Sequence, residues 1–394
     1  MYVTRPLSMF MKSPEALSAS SPDGPNLGYL VIADEEWEVE ARTCCGLCKD
    51  NRIREFPFPS NKILTVTYTE NHGESSTTHR DKVLFVPVIG QPLSANRYYV
   101  IRAQGKYKGK ACTCSREEDM GTCCFCNYIK DTKPQFLDLT NIYQQVQIER
   151  RRSARFIGSS IAADGFPPRF LRRRGWSVYT SSSLQIPLEP VNGVDVALRN
   201  GHPNFDFPIS SKCSKSVTVG RWYCPFMFIK EDETAPKDQM ERSIFYEINL
   251  EQYWEQVFGC KNSDNDEGNA VTVNTSLQRE VVRLCGEEEV MAQDISVGDG
   301  WVWFRTQNSG VEKSVGLTLP VLERMRWEAK RGGWVEREER EERIKRVVEF
   351  KGKGGWSSYG CYVLVERFVL KRIDGNLVLT YDFRHTHGFE SKWE

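Results

Sequence analysis

Short runs of apolar, β-branched and aromatic residues recur along the chain, and several of them alternate with polar residues. A period of two indicates a strand with one buried face, and a short continuous apolar run indicates a fully buried strand. Residues 371–376 between the last two runs predict a hairpin turn, and residues 71–78 predict a polar loop. The runs that predict strands are residues 28–32, 37–40, 63–68, 83–89, 98–103, 221–229, 302–305, 361–370 and 377–383.

Helical patterns are fewer than strand patterns. Leu319, Leu322 and Met325 lie partly on one side of a predicted helix. A second stretch carries acidic and basic residues four positions apart, such as Glu336 with Arg340, and this spacing predicts a charged, solvent-facing helix. Helices are predicted at residues 140–146, 249–258, 317–330 and 334–349.

Residues 83–146 and 205–258 carry similar elements in the same order. Arg97-Tyr98-Tyr99 opens a strand in the first segment, and Arg221-Trp222-Tyr223 opens one in the second. Four matched elements predict an internal duplication of a strand-strand-strand-helix unit. The alternative is chance similarity between two β-rich segments.

The chain of 394 residues exceeds what one hydrophobic core usually supports, so we expect two domains. Residues 181–193 have little periodicity and are expected to connect domains at 1–190 and 191–394. The first domain would hold the cysteine clusters, and the second would hold the charged helix. The pattern predicts the α+β class, β-rich, with mostly antiparallel sheets and a few inserted helices.

Composition indicates a globular protein without a strong overall charge. The chain is 40% hydrophobic and 11% aromatic, and its 53 Lys plus Arg balance its 53 Asp plus Glu. A neutral chain has no global field that favours nucleic acid or an anionic membrane. The N-terminus lacks the apolar run of a signal peptide, and no run is long enough to span a bilayer. We therefore expect a soluble protein of the cytoplasm or nucleus with reduced cysteines.

Several motifs carry a resemblance to a known family. They are Met1-Tyr2-Val3-Thr4-Arg5-Pro6-Leu7-Ser8, Arg97-Tyr98-Tyr99-Val100-Ile101, Asp164-Gly165-Phe166-Pro167-Pro168, Trp222-Tyr223-Cys224-Pro225-Phe226-Met227 and Tyr381-Asp382-Phe383-Arg384-His385-Thr386-His387. With these motifs, essentially the whole chain resembles a plant family of uncharacterised proteins, domain of unknown function 1262. The resemblance implies a plant protein, but it implies no activity, ligand or site residues.

Cysteines supply the strongest candidate site. Eight of thirteen precede residue 127, and they include two C-x-x-C knuckles, Cys45 with Cys48 and Cys123 with Cys126. Four thiolates suit a closed, structural zinc site, although the separation of the knuckles exceeds that of a compact zinc ribbon. The alternatives are reduced cysteines that fill turns and strand ends, a thioredoxin-like redox pair at Cys45 and Cys48, and S-acylation of adjacent cysteines.

Two further groups of residues could carry chemistry. Arginines are concentrated between residues 150 and 174. Three aromatic residues are interleaved with them and Trp176 follows, which is compatible with binding of phosphate or single-stranded nucleic acid. The alternative is a solvated loop whose arginines pair with acidic neighbours. Asp382, His385 and His387 place a carboxylate and two imidazoles within six residues, and the two histidines would share one face of a strand and could share a metal.

No nucleophile elbow, P-loop, dinucleotide-binding or zinc-protease motif occurs in the sequence. The sequence therefore favours a non-enzymatic binding or protein-interaction module whose partner is a protein rather than nucleic acid. The alternative is an unrecognised enzyme, a hydrolase with a site between the two domains.

Overall fold

The computed structural model describes residues 1–20, 24–40, 42–43, 48–49, 51–123, 126–173, 175–262, 269–286, 300–306 and 313–394. Strands dominate this part of the chain. In order they are β1 Tyr2–Pro6, β2 Gly28–Ile32, β3 Arg42–Thr43, β4 Cys48–Lys49, β5 Arg52–Ile53, β6 Lys62–His72, β7 Ser75–Pro87, β8 Arg97–Arg102, β9 Met120–Cys123, β10 Cys126–Ile129, β11 Gln145–Arg151, β12 Arg155–Ser160, β13 Ser177–Gln185, β14 Gly193–Val194, β15 Val217–Pro225, β16 Ile229–Glu231, β17 Phe245–Lys261, β18 Ala270–Gln278, β19 Glu280–Leu284, β20 Trp301–Thr306, β21 Lys313–Thr318, β22 Glu341–Glu349, β23 Ser358–Arg372 and β24 Leu377–Trp393.

The α-helices of the described residues are short. They are α1 Leu7–Lys12, α2 Glu35–Glu40, α3 Arg169–Arg172, α4 Val196–Asn200, α5 Pro236–Arg242 and α6 Leu319–Arg331. The protein is therefore β-rich with mostly antiparallel sheets, as the sequence predicts. None of the described helices is long and apolar enough to cross a membrane.

The chain divides into two compact units. Unit 1 comprises Met1–Val191 and Tyr223–Tyr246, and unit 2 comprises Asn192–Trp222 and Glu247–Glu394. The arrangement of two domains at residues 1–190 and 191–394 stays a prediction.

The main sheet of unit 1 has seven strands in the order β12-β11-β8-β7-β6-β13-β5. Its end strand β12 returns toward β13, because Phe156 N donates to Trp176 O at 2.9 Å and Gly175 N donates to Phe156 O at 3.2 Å. Strands β1 and β2 of the same unit pair in parallel, from Tyr2 opposite Gly28 to Pro6 opposite Ile32.

Aromatic side chains fill the core enclosed by the seven-stranded sheet. The Phe58 ring lies 4.8 Å from Phe85, 5.5 Å from Tyr98 and 5.1 Å from Phe156, measured between centroids. These rings and Trp176 are at most 1% exposed. Burial raises the pKa of Tyr98 above its usual range, and its hydroxyl accepts a hydrogen bond from Phe58 N at 3.3 Å.

The main sheet of unit 2 contains β19, β24, β23, β17 and β15 in that order, with β14 beside β15. Strands β18 and β22 form a separate ribbon whose register runs from Ala270 opposite Glu349 to Gln278 opposite Glu341. Val273 and Ile344 of this ribbon pack with Tyr359 and Val363 of β23 in one hydrophobic cluster.

Two predictions for unit 2 are confirmed. Helix α6 begins at Leu319 and ends at Arg331, where Gly332 and Gly333 follow. Strands β23 and β24 are joined by the predicted turn, in which Gly375 N donates to Arg372 O at 2.9 Å.

The predicted charged helix at residues 334–349 is wrong. Its second half is strand β22, which pairs with β18, because Ile344 packs inward while the side chains of Arg343 and Lys345 lie on the other face. Charges four residues apart stabilise a helix by only a few tenths of a kcal/mol per pair (~0.2–0.5). Backbone pairing along a whole strand and burial of Ile344 outweigh that preference.

Both helices of the predicted repeat unit are also wrong. Residues 249–258 lie within β17. In the first segment, Asn141 Oδ1 accepts from Tyr143 N at 3.0 Å and fixes only a short 3₁₀ turn. Strand β11 follows because Val146 and Ile148 alternate into the aromatic core.

Two local predictions in the N-terminal part of the chain are wrong as well. Residues 37–40 belong to helix α2, whose first turn is acidic and therefore favourable at the positive end of the helix dipole. Residues 71–78 form a hairpin in which Asn71 pairs with Ser76. Gly73, at φ +69°, makes the turn, a backbone conformation that glycine adopts without strain.

Candidate functional site

A cleft of about 770 Å³ opens on the surface of unit 1. Its described lining contains four arginines and one glutamate, a formal excess of three positive charges. We call it the arginine cleft. It is lined by Arg52, Thr67, Tyr68, Thr69, Glu70, Asn71, Arg155, Arg172, Arg173, Gly175, Ser177 and Tyr179.

The floor of the arginine cleft follows from alternation along β5, β13 and β6. Val178 of β13 is buried and lies opposite both Ile53 and Val66, so these side chains face the core. Their neighbours face outward: Ser177 lies opposite Thr67, and Tyr179 lies opposite Arg52. The strand pattern thus sets two polar cross-strand pairs side by side.

Arg52 and Arg155 contribute positive charge from two different strands. Arg52 Nη2 donates to the carbonyl oxygens of Ser153 and Ala154 at 2.8 and 2.9 Å, and these bonds position the guanidinium. Arg155 is exposed and makes no ion pair within the described part of the chain. Gly175 leaves room for it, since a Cβ there would lie 3.1 Å from Arg155 Cδ.

Glu70 is the acidic centre of one wall. Arg169 of α3 binds both of its carboxylate oxygens at 2.7 Å, and Arg173 lies 2.8 Å from one of them. His79 Nε2 is 3.6 Å away. Hydrogen bonds from Arg169 lower the pKa of Glu70 despite the opposing effect of burial, and the positive charges of Arg169 and Arg173 add to this effect. Glu70 therefore stays ionised at neutral pH.

Arg172 lines the cleft, but its guanidinium mainly makes structural contacts with neighbouring residues. Its Nη1 lies 2.5 Å from Asp131 Oδ1 and 2.8 Å from Pro167 O. Tyr68 is likewise held in place, because its ring stacks on His79 with centroids 4.7 Å apart. Burial raises the pKa of Tyr68, so its hydroxyl is protonated and can donate a hydrogen bond at neutral pH.

The arginine concentration of the sequence therefore splits into two parts. Arg150 and Arg151 pair with Glu55 and Glu149 at 3.3 and 3.1 Å, as the solvated-loop alternative predicts, while others line the cleft. The interleaved aromatic residues do not form an exposed stacking surface. Phe156, Phe170 and Trp176 lie in the core, at most 6% exposed, and Phe166 is half-buried; Arg174 lies outside the described residues.

The proposed zinc ligands are only partly placed. Cys45 lies outside the described residues, and the side chains of Cys48, Cys123 and Cys126 are not described either. The backbone sets Cys123 opposite Cys126 in the β9–β10 hairpin. A zinc site formed by the four cysteines stays a prediction.

Asp382, His385 and His387 do not converge. Asp382 is buried and bound by Arg367 at 2.6 and 2.8 Å and by Arg283 at 2.8 Å. The imidazoles of His385 and His387 lie on one side of β24, 5.9 Å apart between ring centroids. Among the residues that the structure describes, no group of three or more His, Cys, Asp or Glu side chains could hold a metal ion.

Unit 2 contains a buried ion pair that the sequence does not indicate. Arg199 Nε and Nη2 each lie 2.6 Å from a carboxylate oxygen of Glu366, and the two residues are 5% and 0% exposed. Gln252 Nε2 donates to Glu366 at 2.9 Å, and His385 Nε2 lies 3.5 Å from it. Burial opposes ionisation of Glu366, but His385 and Arg199 outweigh it and lower its pKa to about 2.

Sequence reasoning missed Arg52, Glu70 and Tyr179 as cleft residues. Alternation along 63–68 indicates an outward face that includes Thr67, and this is the one local signal for the cleft. Glu70 and Arg169 are separated by 99 positions, so no spacing rule could pair them.

Comparison with known proteins finds a family match over part of the chain and a distant similarity to a solved structure. Residues 23–125 match the model of a family described as a protein of unknown function, DUF1262. No curated protein matches the chain. A crystal structure of Cry35Ab1 aligns with 85% of this chain and 90% of its own, at 12% identity and a TM-score of 0.46. The family match identifies residues 23–125 as a domain of unknown function.

Proposed function

We propose that the protein is a non-enzymatic binding module that holds an anionic ligand in the arginine cleft. The excess of three positive charges in a concave surface of unit 1 is the observation that carries this proposal. A guanidinium donates two parallel hydrogen bonds and matches the geometry of phosphate and carboxylate groups. Arg155 is the residue expected to meet the ligand first.

The chemistry of the lining favours binding over catalysis. Glu70 is the one carboxylate among the described lining residues, and its lowered pKa makes it a weak general base. None of those lining residues is a histidine or a cysteine. The arrangement can therefore hold and orient charge, and it offers no activated nucleophile.

Calorimetric titration of the full chain with inorganic phosphate and with sulfate tests the proposal. Wild type should bind both anions, more weakly as sodium chloride is added. Arg155→Gln should weaken binding by about tenfold, or ~1.4 kcal/mol, close to the usual worth of a hydrogen bond to a charged group.

Arg151→Gln is the matched control, because Arg151 is an exposed arginine of unit 1 that does not line the cleft. Its affinity should equal that of wild type. Absence of anion binding in wild type, or equal losses in the two variants, would refute the proposal.

Wider expectations stay proposals beside this one. They are a plant origin, a location in the cytoplasm or nucleus, a protein partner, a structural zinc and an internal duplication. Metal analysis of the purified, folded protein decides the zinc proposal. The alternative of a hydrolase with a site between two domains gains no support from the described residues.

A further inference from the structure

A second cavity opens on unit 1, and its described lining shares no residue with that of the arginine cleft. We call it the Arg97 pocket. Its volume of about 530 Å³ lies within the range of small-molecule sites (~300–1,000 Å³). The pocket is lined by Phe56, Ser94, Ala95, Asn96, Arg97, Gln147, Ile148, Glu149 and Arg150.

The start of strand β8 forms one wall of the Arg97 pocket. A 3₁₀ turn at Leu93–Ala95 leads to Asn96, whose backbone is left-handed at φ +49°, a conformation that Asn adopts more readily than most residues. The Asn96 carbonyl oxygen accepts from Ile148 N at 3.0 Å and fixes this turn against β11. Arg97 then lies opposite Gln147, so the two side chains leave the sheet on the same face.

Arg97 is the charged residue of the pocket that lacks a partner. Its guanidinium forms no ion pair with the residues that the structure describes, and its Nε is buried without a hydrogen bond. The other charges of the lining are matched. Arg150 lies 3.3 Å from Glu55, and Glu149 lies 3.1 Å from Arg151. One positive charge therefore remains for a ligand, and a carboxylate matches it better than a phosphate monoester, which carries a charge of about −1.5 to −2 at pH 7.

The apolar part of the lining indicates the body of the ligand. Phe56 is half-buried, and its ring packs against Phe58 and Phe156 with centroids 5.1 and 5.3 Å apart. The rest of its surface faces the pocket, where Ala95 adds an aliphatic side chain. Aromatic rings favour offset or edge contacts with one another. The wall therefore suits a planar, apolar ring.

We propose that the Arg97 pocket binds a small aromatic monocarboxylate. The carboxylate accepts two parallel hydrogen bonds from the guanidinium of Arg97, the amide of Gln147 donates a further one, and the ring packs against Phe56. The pocket is separate from the arginine cleft, so this inference goes beyond the anion-binding function and does not depend on it.

Calorimetric titration of the full chain with benzoate, acetate and benzamide tests the proposal. Benzoate should bind at least about tenfold more tightly than acetate, because its ring buries apolar surface against Phe56. It should bind at least about tenfold more tightly than benzamide, which has the same shape without the charge. In Arg97→Gln, benzoate and benzamide should bind equally, a result that a general loss of packing would not produce. The variant breaks no ion pair among the described residues, so it should fold, and thermal unfolding checks this.

Arg80→Gln is the matched control, because Arg80 is an exposed arginine of unit 1 that lines neither cavity. Its affinity for benzoate should equal that of wild type. Absence of benzoate binding in wild type, equal affinities for benzoate and acetate, or unchanged benzoate binding in Arg97→Gln would each overturn the proposal. Loss of benzoate binding in Arg155→Gln would also overturn it, since benzoate would then occupy the arginine cleft. Phosphate binding that depends on Arg155 but not on Arg97 would leave the anion-binding function standing in all these cases.

Discussion

Gly332 lies directly against the buried ion pair of unit 2, and this contact predicts the effect of adding a single methyl group. A Cβ at Gly332 would lie 2.1 Å from Arg199 Nη2 and 2.7 Å from Glu366 Oε2. The φ of −77° at Gly332 suits any residue, so the clash alone decides the outcome. If the guanidinium moves away, the carboxylate of Glu366 remains buried without its two-pronged partner.

The expected decrease in the free energy of unfolding follows from the broken ion pair. Breaking a buried ion pair and leaving one charge behind costs ~3–5 kcal/mol, whereas Gly→Ala at an unobstructed site stabilises by ~0.4–1 kcal/mol. Gly332→Ala should therefore destabilise unit 2 by about 3 kcal/mol. Gly355→Ala is the matched control, because no heavy atom lies within 4 Å of a Cβ built there, and its effect should stay below about 1 kcal/mol.

Hydrogen exchange measured by mass spectrometry reports the change where it arises. Peptides from α6 and β23 should exchange about 100-fold faster in Gly332→Ala, at ~1.4 kcal/mol for each factor of ten. In a chain that also carries Arg199→Met and Glu366→Met, Gly332→Ala should lower the free energy of unfolding by less than about 1 kcal/mol, because flexible methionine side chains can move away from the added methyl group. Equal protection in Gly332→Ala and Gly355→Ala would show that the methyl group does not disturb the Arg199–Glu366 ion pair.

Three further predictions concern ionisable side chains. The fold lowers the pKa of Glu366 from 4.5 to about 2, so its carboxylate stabilises the native state above pH 4.5 by about 3 kcal/mol, and this stabilisation is lost as the pH falls toward 2. Urea unfolding at a series of pH values should show this loss of stability in wild type, and Glu366→Gln should not show it. Burial raises the pKa of Cys112 to about 12, so iodoacetamide at pH 8 should label exposed Cys213 at least ~10-fold faster, and equal rates would contradict the packing. Glu70→Gln should raise phosphate affinity about fivefold in calorimetry, because it removes ~1 kcal/mol of repulsion, and an unchanged affinity would place the anion elsewhere.

Local patterns in the sequence predict much of the β-structure but little of the candidate site. The alternation of 63–68 and the hairpin signal at 371–376 are short-range properties, and the structure contains both. The stretch 334–349 fits a helical charge pattern and a strand at once, and only its pairing with β18 decides between them. The sequence therefore leaves such a segment ambiguous.

The site depends on contacts between residues far apart in the chain. The clusters of arginine and cysteine are visible in the sequence because their members are neighbours. Glu70 is defined by Arg169, which lies 99 positions away, and Arg199 by Glu366, which lies 167 positions away. The aromatic residues among the arginines suggest stacking, but their apolar area drives Phe156 and Trp176 into the core.

Anomalous diffraction from crystals soaked in sodium tungstate locates the bound anion itself, because tungstate mimics phosphate and its tungsten atom gives a strong anomalous signal. An anomalous peak is expected in the arginine cleft within hydrogen-bonding reach of Arg155, and it should be lost in Arg155→Gln. Tungstate bound at other surfaces of unit 1, with the arginine cleft empty, would rule out the cleft as the anion site.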